Sequence, residues 1–251
     1  MFESAKLKVE RAKHHISNLQ TVFDAFIVKN PYTLTISNDT NSGDTTIDVS
    51  LNEPLPPVLA LIIGDAVHNL RTALDHATWE LIGRDRGTQD RYLKLPTGDN
   101  RVNYEACCKG IKTPRADTKA FFIALGIYEG GPSERLYTLN SLDTVDKHTV
   151  LTPIAGITSI PLMRVIRSDG VEVATFEDCG FGMTPDGRVT IMRLGIGLRP
   201  EFNEEAKPTI GIIFGDIDGF KFEPVIPTLV HLADAVMDTI GQFENFVSSR
   251  M

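Results

Sequence analysis

The segment from Leu59 to Ile82, LALIIGDAVHNLRTALDHATWELI, constrains the fold of this chain more than any other. At about 100° per residue, one face of a helix over this segment collects only apolar side chains. These side chains are Leu59, Ile63, Ala66, Leu70, Ala73, Leu74, Ala77 and Leu81. The spacing predicts one long helix that buries this face against other helices.

The opposite face of the same helix has an unusual polar composition. It carries Asp65, His68, Asn69, Arg71, Thr72, Asp75, His76 and Trp79. The segment contains no lysine, and its one glutamate, Glu80, lies to one side. Short, titratable or bidentate side chains suit a functional site or a buried polar network better than a face in water.

Three more helices are predicted from apolar periodicity, over residues 2–29, 133–151 and 225–247. Residues 84–114 are expected to be rich in loops, with at most one short helix near Tyr104–Lys109. A further short helix is expected at Ala116–Leu125.

Alternating patterns predict the β structure. Two runs, Tyr32–Ser37 and Thr45–Leu51, flank a polar stretch and indicate a β-hairpin at 32–51. Alternation returns between Ile157 and Phe222, where the predicted strands are Leu162–Ser168, Val171–Phe176, Arg188–Gly195 and Thr209–Phe214. The expected fold class is α+β: a four-helix bundle, a β-hairpin after its first helix, and a small antiparallel sheet inserted before its last helix. The corresponding division of the chain is 1–155 for the helices with the hairpin, 156–223 for the β insertion, and 224–251 for the closing helix.

Composition narrows the functional classes. The formal net charge of −8 gives no general attraction for nucleic acid, so RNA binding would need a local site. The N-terminal segment lacks an apolar signal core and no run of apolar residues is long enough to span a membrane, which predicts a cytoplasmic protein without a membrane partner.

The polar face contains Arg71-x4-His76 within the stretch HNLRTALDH, and the third main helix ends in Asp146-Lys147-His148. An Arg-x4-His arrangement on a bundle helix resembles HEPN domains. The two segments together also resemble an uncharacterised bacterial family with the patterns HNLRxxLDH and DKH. The resemblance covers roughly residues 1–155 and implies a HEPN-like bundle.

The resemblance implies a metal-independent endoribonuclease of the kind found in toxins and phage-defence effectors, acting on RNA as a homodimer and without a cofactor. Arg71 would hold the phosphate and His76 would transfer protons. The two residues are about 140° apart around the helix and ~7.5 Å apart along it, so two copies of the helix would have to meet at a two-fold axis. The cleft would be lined by His68, Asn69, Asp75, Lys147 and His148.

Two other interpretations stay open. Arg71–Asp75 and Asp143–Lys147 are both i, i+4 pairs, so the polar face could be a structural network in a non-catalytic binding or partner module. Whatever the role of the polar face, at least one of His68, Arg71 or Asp75 should contact Asp143, Asp146, Lys147 or His148, because buried polar groups need partners. Alternatively, the helical bundle could bind a metal ion through Asp65, His68, Asp146 and His148, since Asp65 and His68 lie one turn apart.

Overall fold

The computed structural model describes residues 1–87, 93–159, 163–177, 180–182, 184, 187–202, 209–215, 217 and 219–250. The chain divides into two compact units, each assembled from separate stretches of sequence. The first unit comprises Met1–Gln20, Ala60–Leu151 and Ile226–Met251, and the second comprises Thr21–Leu59 and Thr152–Val225.

Six helices account for most of the first unit in the described residues. They are α1 (Glu3–Ile27), α2 (Val58–Arg86), α3 (Arg101–Gly110), α4 (Ala116–Leu125), α5 (Glu134–His148) and α6 (Val225–Ser248). No helix within the described ranges combines the length and the apolar character needed to cross a membrane.

The predicted apolar face of α2 is confirmed. All eight of its predicted residues, from Leu59 to Leu81, have no exposed surface. The apolar positions that recur every three or four residues in α1 and α6 are buried as well. Phe2, the residue before α1, packs edge-on against Phe243 of α6, with ring centroids 5.8 Å apart. Burial of three such faces supplies the core that holds α2 in place.

The sequence determines where α3 begins and where α4 ends. Asn100 caps α3 by accepting a hydrogen bond from the Asn103 backbone N–H at 3.0 Å. Gly126 ends α4 in the left-handed conformation, with φ of 63°. Tyr104 of α3 is fully buried and its hydroxyl donates to the Phe122 carbonyl of α4, so the two helices are joined through the core.

The second unit contains nine strands within the described part of the chain. They are β1 (Tyr32–Asn38), β2 (Thr45–Leu51), β3 (Ile154–Ser159), β4 (Met163–Arg167), β5 (Glu172–Phe176), β6 (Phe181–Gly182), β7 (Arg188–Leu194), β8 (Leu198–Phe202) and β9 (Thr209–Ile213). They form three antiparallel three-stranded sheets in the orders β1-β2-β7, β6-β3-β9 and β5-β4-β8. The predicted hairpin at 32–51 is present, and its strands pair from Tyr32 with Leu51 to Asn38 with Thr45. Leu162, the first residue of one predicted strand, lies outside the described residues.

The predicted fold class is therefore wrong. The described residues form six helices and three small sheets, in place of a four-helix bundle with a single inserted sheet. One reason is that α3 and α4 bury side chains and are full members of the helical unit. The other is that β2 pairs with β7 across about 140 residues of sequence, which places the hairpin in the β unit.

Candidate functional site

The polar face of α2 lies beside α5 in the first unit. The side chains that meet there recur every three or four residues on each helix, so one stripe faces the other. The stripe on α2 runs from Asp65 to Asp75, and the stripe on α5 runs from Asn140 to Lys147. This arrangement divides into an enclosed part around Arg71 and an accessible part around His68.

Arg71 is enclosed by protein and is only 5% exposed. Its Nε donates to Asn140 Oδ1 at 2.8 Å, and its terminal nitrogens donate to Asp75 Oδ1 at 2.5 Å and to the Leu95 carbonyl at 3.4 Å. The Leu95 backbone N–H donates to the same Asp75 oxygen at 2.8 Å. The guanidinium thus fastens α2 to α5 and to the segment that precedes α3.

His76, the other half of the Arg-x4-His motif, is half-buried. Within the described part of the chain its ring makes no hydrogen bond or ion pair. The structure therefore does not bring the two residues of the motif together: Arg71 joins the network, and His76 stands one and a half turns further along α2.

His68 has a different environment. Its side chain is 54% exposed, and its Nδ1 lies 3.0 Å from Oδ1 of Asp143, a carboxylate that is 3% exposed. Its Nε2 lies 3.4 Å from the Thr72 hydroxyl. Asp143 is also paired with Lys147. The predicted contact between the two helical stripes is confirmed by the His68–Asp143 pair.

The contact with Asp143 determines which nitrogen of the neutral His68 ring carries the proton. An ionised Asp143 accepts a hydrogen bond from Nδ1–H, which leaves Nε2 as the basic nitrogen, beside the Thr72 hydroxyl. A buried carboxylate that orients an exposed imidazole in this way is a common arrangement for general acid–base catalysis.

Asp146 lies next to this pair, packed on the backbone of Gly64. A Cβ atom at Gly64 would lie only 2.7 Å from the Asp146 Cγ, so the carboxyl group occupies the space that a side chain at position 64 would fill. Partial burial raises the pKa of Asp146, and the nearby carboxylates of Asp143 and Asp65 raise it further. The backbone N–H of Leu151 acts in the opposite direction by hydrogen bonding to the carboxyl group.

Residues of α1 border the accessible part of the site. Lys8 Nζ donates to Asn69 Oδ1 at 3.3 Å, and Asn69 in turn donates to the Asp65 carbonyl at 2.8 Å. His15 Nδ1 lies 3.9 Å from Asp65 Oδ2. Burial lowers the pKa of His15, and the positive charge of Arg11 adds to this effect.

The remaining predicted residues include those of the metal site. His148 is exposed, and its ring contacts no partner among the described residues. Across the described ranges, no three His, Cys, Asp or Glu side chains converge in a way that could hold a metal ion. This arrangement does not favour the interpretation in which Asp65, His68, Asp146 and His148 bind a metal.

Sequence reasoning missed several participants in the site. Asn140 could have been predicted from its spacing, because it precedes Asp143 by three residues and shares its helix face. The sequence gives a weaker indication for Gly64: glycine inside a helix is unfavourable and often marks a place where another group lies close to the backbone. The backbone of Leu95 gave no signal, because no sequence pattern reports which loop amide a carboxylate will bind.

No family model matches the chain, and no curated protein or solved structure matches it either. The resemblance to HEPN domains stays a prediction that depends on the motifs alone.

Proposed function

We propose that this protein is a metal-independent endoribonuclease whose general base is His68. One observation carries the proposal: an exposed imidazole is held through Nδ1 by the buried carboxylate of Asp143, while among the described residues its Nε2 faces only the Thr72 hydroxyl, at 3.4 Å. The substrate class, RNA, comes from the resemblance of the HNLRTALDH and DKH segments to HEPN domains.

The reaction that fits this base is internal transesterification of RNA. His68 Nε2 removes the proton of a ribose 2′-hydroxyl, the oxygen attacks the adjacent phosphorus, and the bond to the 5′ oxygen breaks. In this proposal the substrate hydroxyl takes the place that Thr72 occupies beside Nε2. In this reaction one phosphorus–oxygen bond forms as another breaks, and a side chain accepts the proton that is released, so the step is proposed without a metal ion.

This proposal changes the roles expected for the Arg-x4-His motif. Arg71 already uses its donors on protein groups, so its role is to fix α2 against α5. The base and its carboxylate also come from one chain. A homodimer is therefore not needed to complete the site. It would be needed only if Arg71 and His76 acted together across a two-fold axis.

A second candidate function is a non-catalytic binding or partner module, and the Arg71 network favours it. A buried arginine whose partners are a carboxylate, an amide and a backbone carbonyl is a common structural arrangement. In that case the pair formed by exposed His68 and buried Asp143 would add a further structural contact between α2 and α5.

Chemical rescue separates the two candidates. With total RNA as substrate in EDTA, we expect His68→Ala to lose cleavage by about 10²–10⁴-fold, the usual contribution of a general base. Free imidazole added to His68→Ala should restore part of the activity, because it fills the space of the missing ring. If cleavage of cellular RNA underlies a toxin or phage-defence role, expression should arrest growth and His68→Ala should relieve the arrest.

His231→Ala is the matched control, since His231 is exposed on α6 outside the cluster. It should cleave as the wild type does. Absence of cleavage by the wild type, or equal cleavage by wild type and His68→Ala, would contradict the proposal and favour the non-catalytic module.

A further inference from the structure

We infer that Asp146 is the general acid of this site and that Gly64 exists to seat it there. This inference rests on the proposed function, because it assigns the second proton transfer of the same reaction. Cleavage of RNA needs a proton for the departing 5′ oxygen, and a base alone leaves that step unassisted.

The position of Asp146 is set by two helices. It lies on α5, three residues after Asp143, so the two carboxylates share one face of that helix. Across from it on α2 the chain has a glycine at position 64, and any Cβ there would overlap the carboxyl group. Glycine inside a helix is less favourable than alanine, and the space that Gly64 leaves is filled by the Asp146 carboxyl group.

The surroundings of Asp146 raise the pKa of its carboxyl group. Partial burial is the main cause of its raised pKa, and Asp143 on α5 and Asp65 on α2 add like charge. His68 on α2 and the Leu151 N–H act in the opposite direction.

The proton balance of the step is simple. The ribose 2′-hydroxyl gives its proton to His68 Nε2, and the carboxylic acid of Asp146 gives its proton to the 5′ oxygen as the phosphorus–oxygen bond breaks. The products are a cyclic phosphate and a 5′-hydroxyl. Proton exchange with water then returns both side chains to their starting forms.

Leaving-group dependence tests this assignment. Asp146→Asn should slow cleavage of a ribodinucleotide by about 10²–10⁴-fold, the usual contribution of a general acid. It should cleave a ribonucleoside p-nitrophenyl phosphodiester at nearly the wild-type rate, because nitrophenolate departs without a proton. His68→Ala should be slow on both substrates. The fall in rate at high pH should disappear in Asp146→Asn, since that fall reports loss of the acid's proton.

Gly64→Ala gives the same test without removing any functional group. The added methyl should displace the Asp146 carboxyl, and a displacement of about 1 Å can cost 10²-fold in rate. We expect slow cleavage of the dinucleotide and near-normal cleavage of the nitrophenyl ester. Gly241→Ala in α6 is the matched control, because a Cβ there meets open space.

The outcomes separate this inference from the proposed function. Wild-type protein that cleaves neither substrate overturns both. Wild-type cleavage that His68→Ala abolishes, combined with an Asp146→Asn variant that is equally fast or equally slow on both substrates, overturns the general acid and leaves the general base in place. A carboxyl NMR titration of Asp146 adds a readout independent of activity: a pKa in the ordinary aspartate range contradicts the inference.

Discussion

At the scale of single residues, Arg71 shows how burial changes the meaning of a motif. An arginine in water can bind a phosphate, but this one is surrounded by Asp75, Asn140 and the Leu95 carbonyl. Arg71→Ala leaves the Asp75 carboxylate and the Asn140 amide without their main partner. Breaking a buried pair of this kind costs about 3 kcal/mol, and urea unfolding should show a loss near that size.

Arg84→Ala is the control on the same helix. Arg84 is half exposed and forms an i, i+4 pair with Glu80, so its loss should cost about 0.5 kcal/mol or less. If Arg71→Ala kept full stability while RNA cleavage disappeared, Arg71 would have to contact substrate, as the sequence motif predicts.

At the scale of elements, α2 was predictable on its apolar side because the signal is local. Its buried face follows from spacing within one segment, and every residue predicted for that face is buried. The polar side was only partly predictable. The pairing of His68 with α5 follows from the need to satisfy polar groups, but the Leu95 backbone comes from a loop whose path no periodicity describes.

The apolar face of α2 leads to a direct test. Leu70→Asp places a carboxylate where no surface is exposed, at a cost of several kcal/mol against a typical total stability of about 5–15 kcal/mol. We expect loss of the cooperative thermal transition in circular dichroism. Leu61→Asp lies on the same helix at a position that is 60% exposed and should melt as the wild type does. Equal melting of both variants would mean that the face is assigned wrongly.

At the scale of the whole molecule, the sheet that includes the hairpin could not be predicted from sequence patterns. Alternation identifies strands because it is a property of each segment alone. It carries no information on which distant strand completes the ladder. The sequence pattern therefore predicts a hairpin that belongs to the helical part of the chain, whereas β2 pairs with β1 on one edge and with β7 on the other. Ile47 and Val49 of β2 are fully buried, so one face of this hairpin is covered by protein.

Cross-linking tests this strand order directly. In the register of the sheet, Thr35 of β1 opposes Asp48 of β2, and Asp48 opposes Thr190 of β7. The Thr190 hydroxyl donates to Asp48 Oδ1 at 2.7 Å, so the two side chains lie within reach of each other.

We expect the double variant Asp48→Cys with Thr190→Cys to form a disulfide under mild oxidation, as detected by peptide mapping. Thr35→Cys with Asp48→Cys should also cross-link. Thr35→Cys with Thr190→Cys should not, because two strand spacings separate them by about 10 Å. If the cysteines at 35 and 48 cross-linked but those at 48 and 190 did not, β2 would be an edge strand. The hairpin would then not pair with β7.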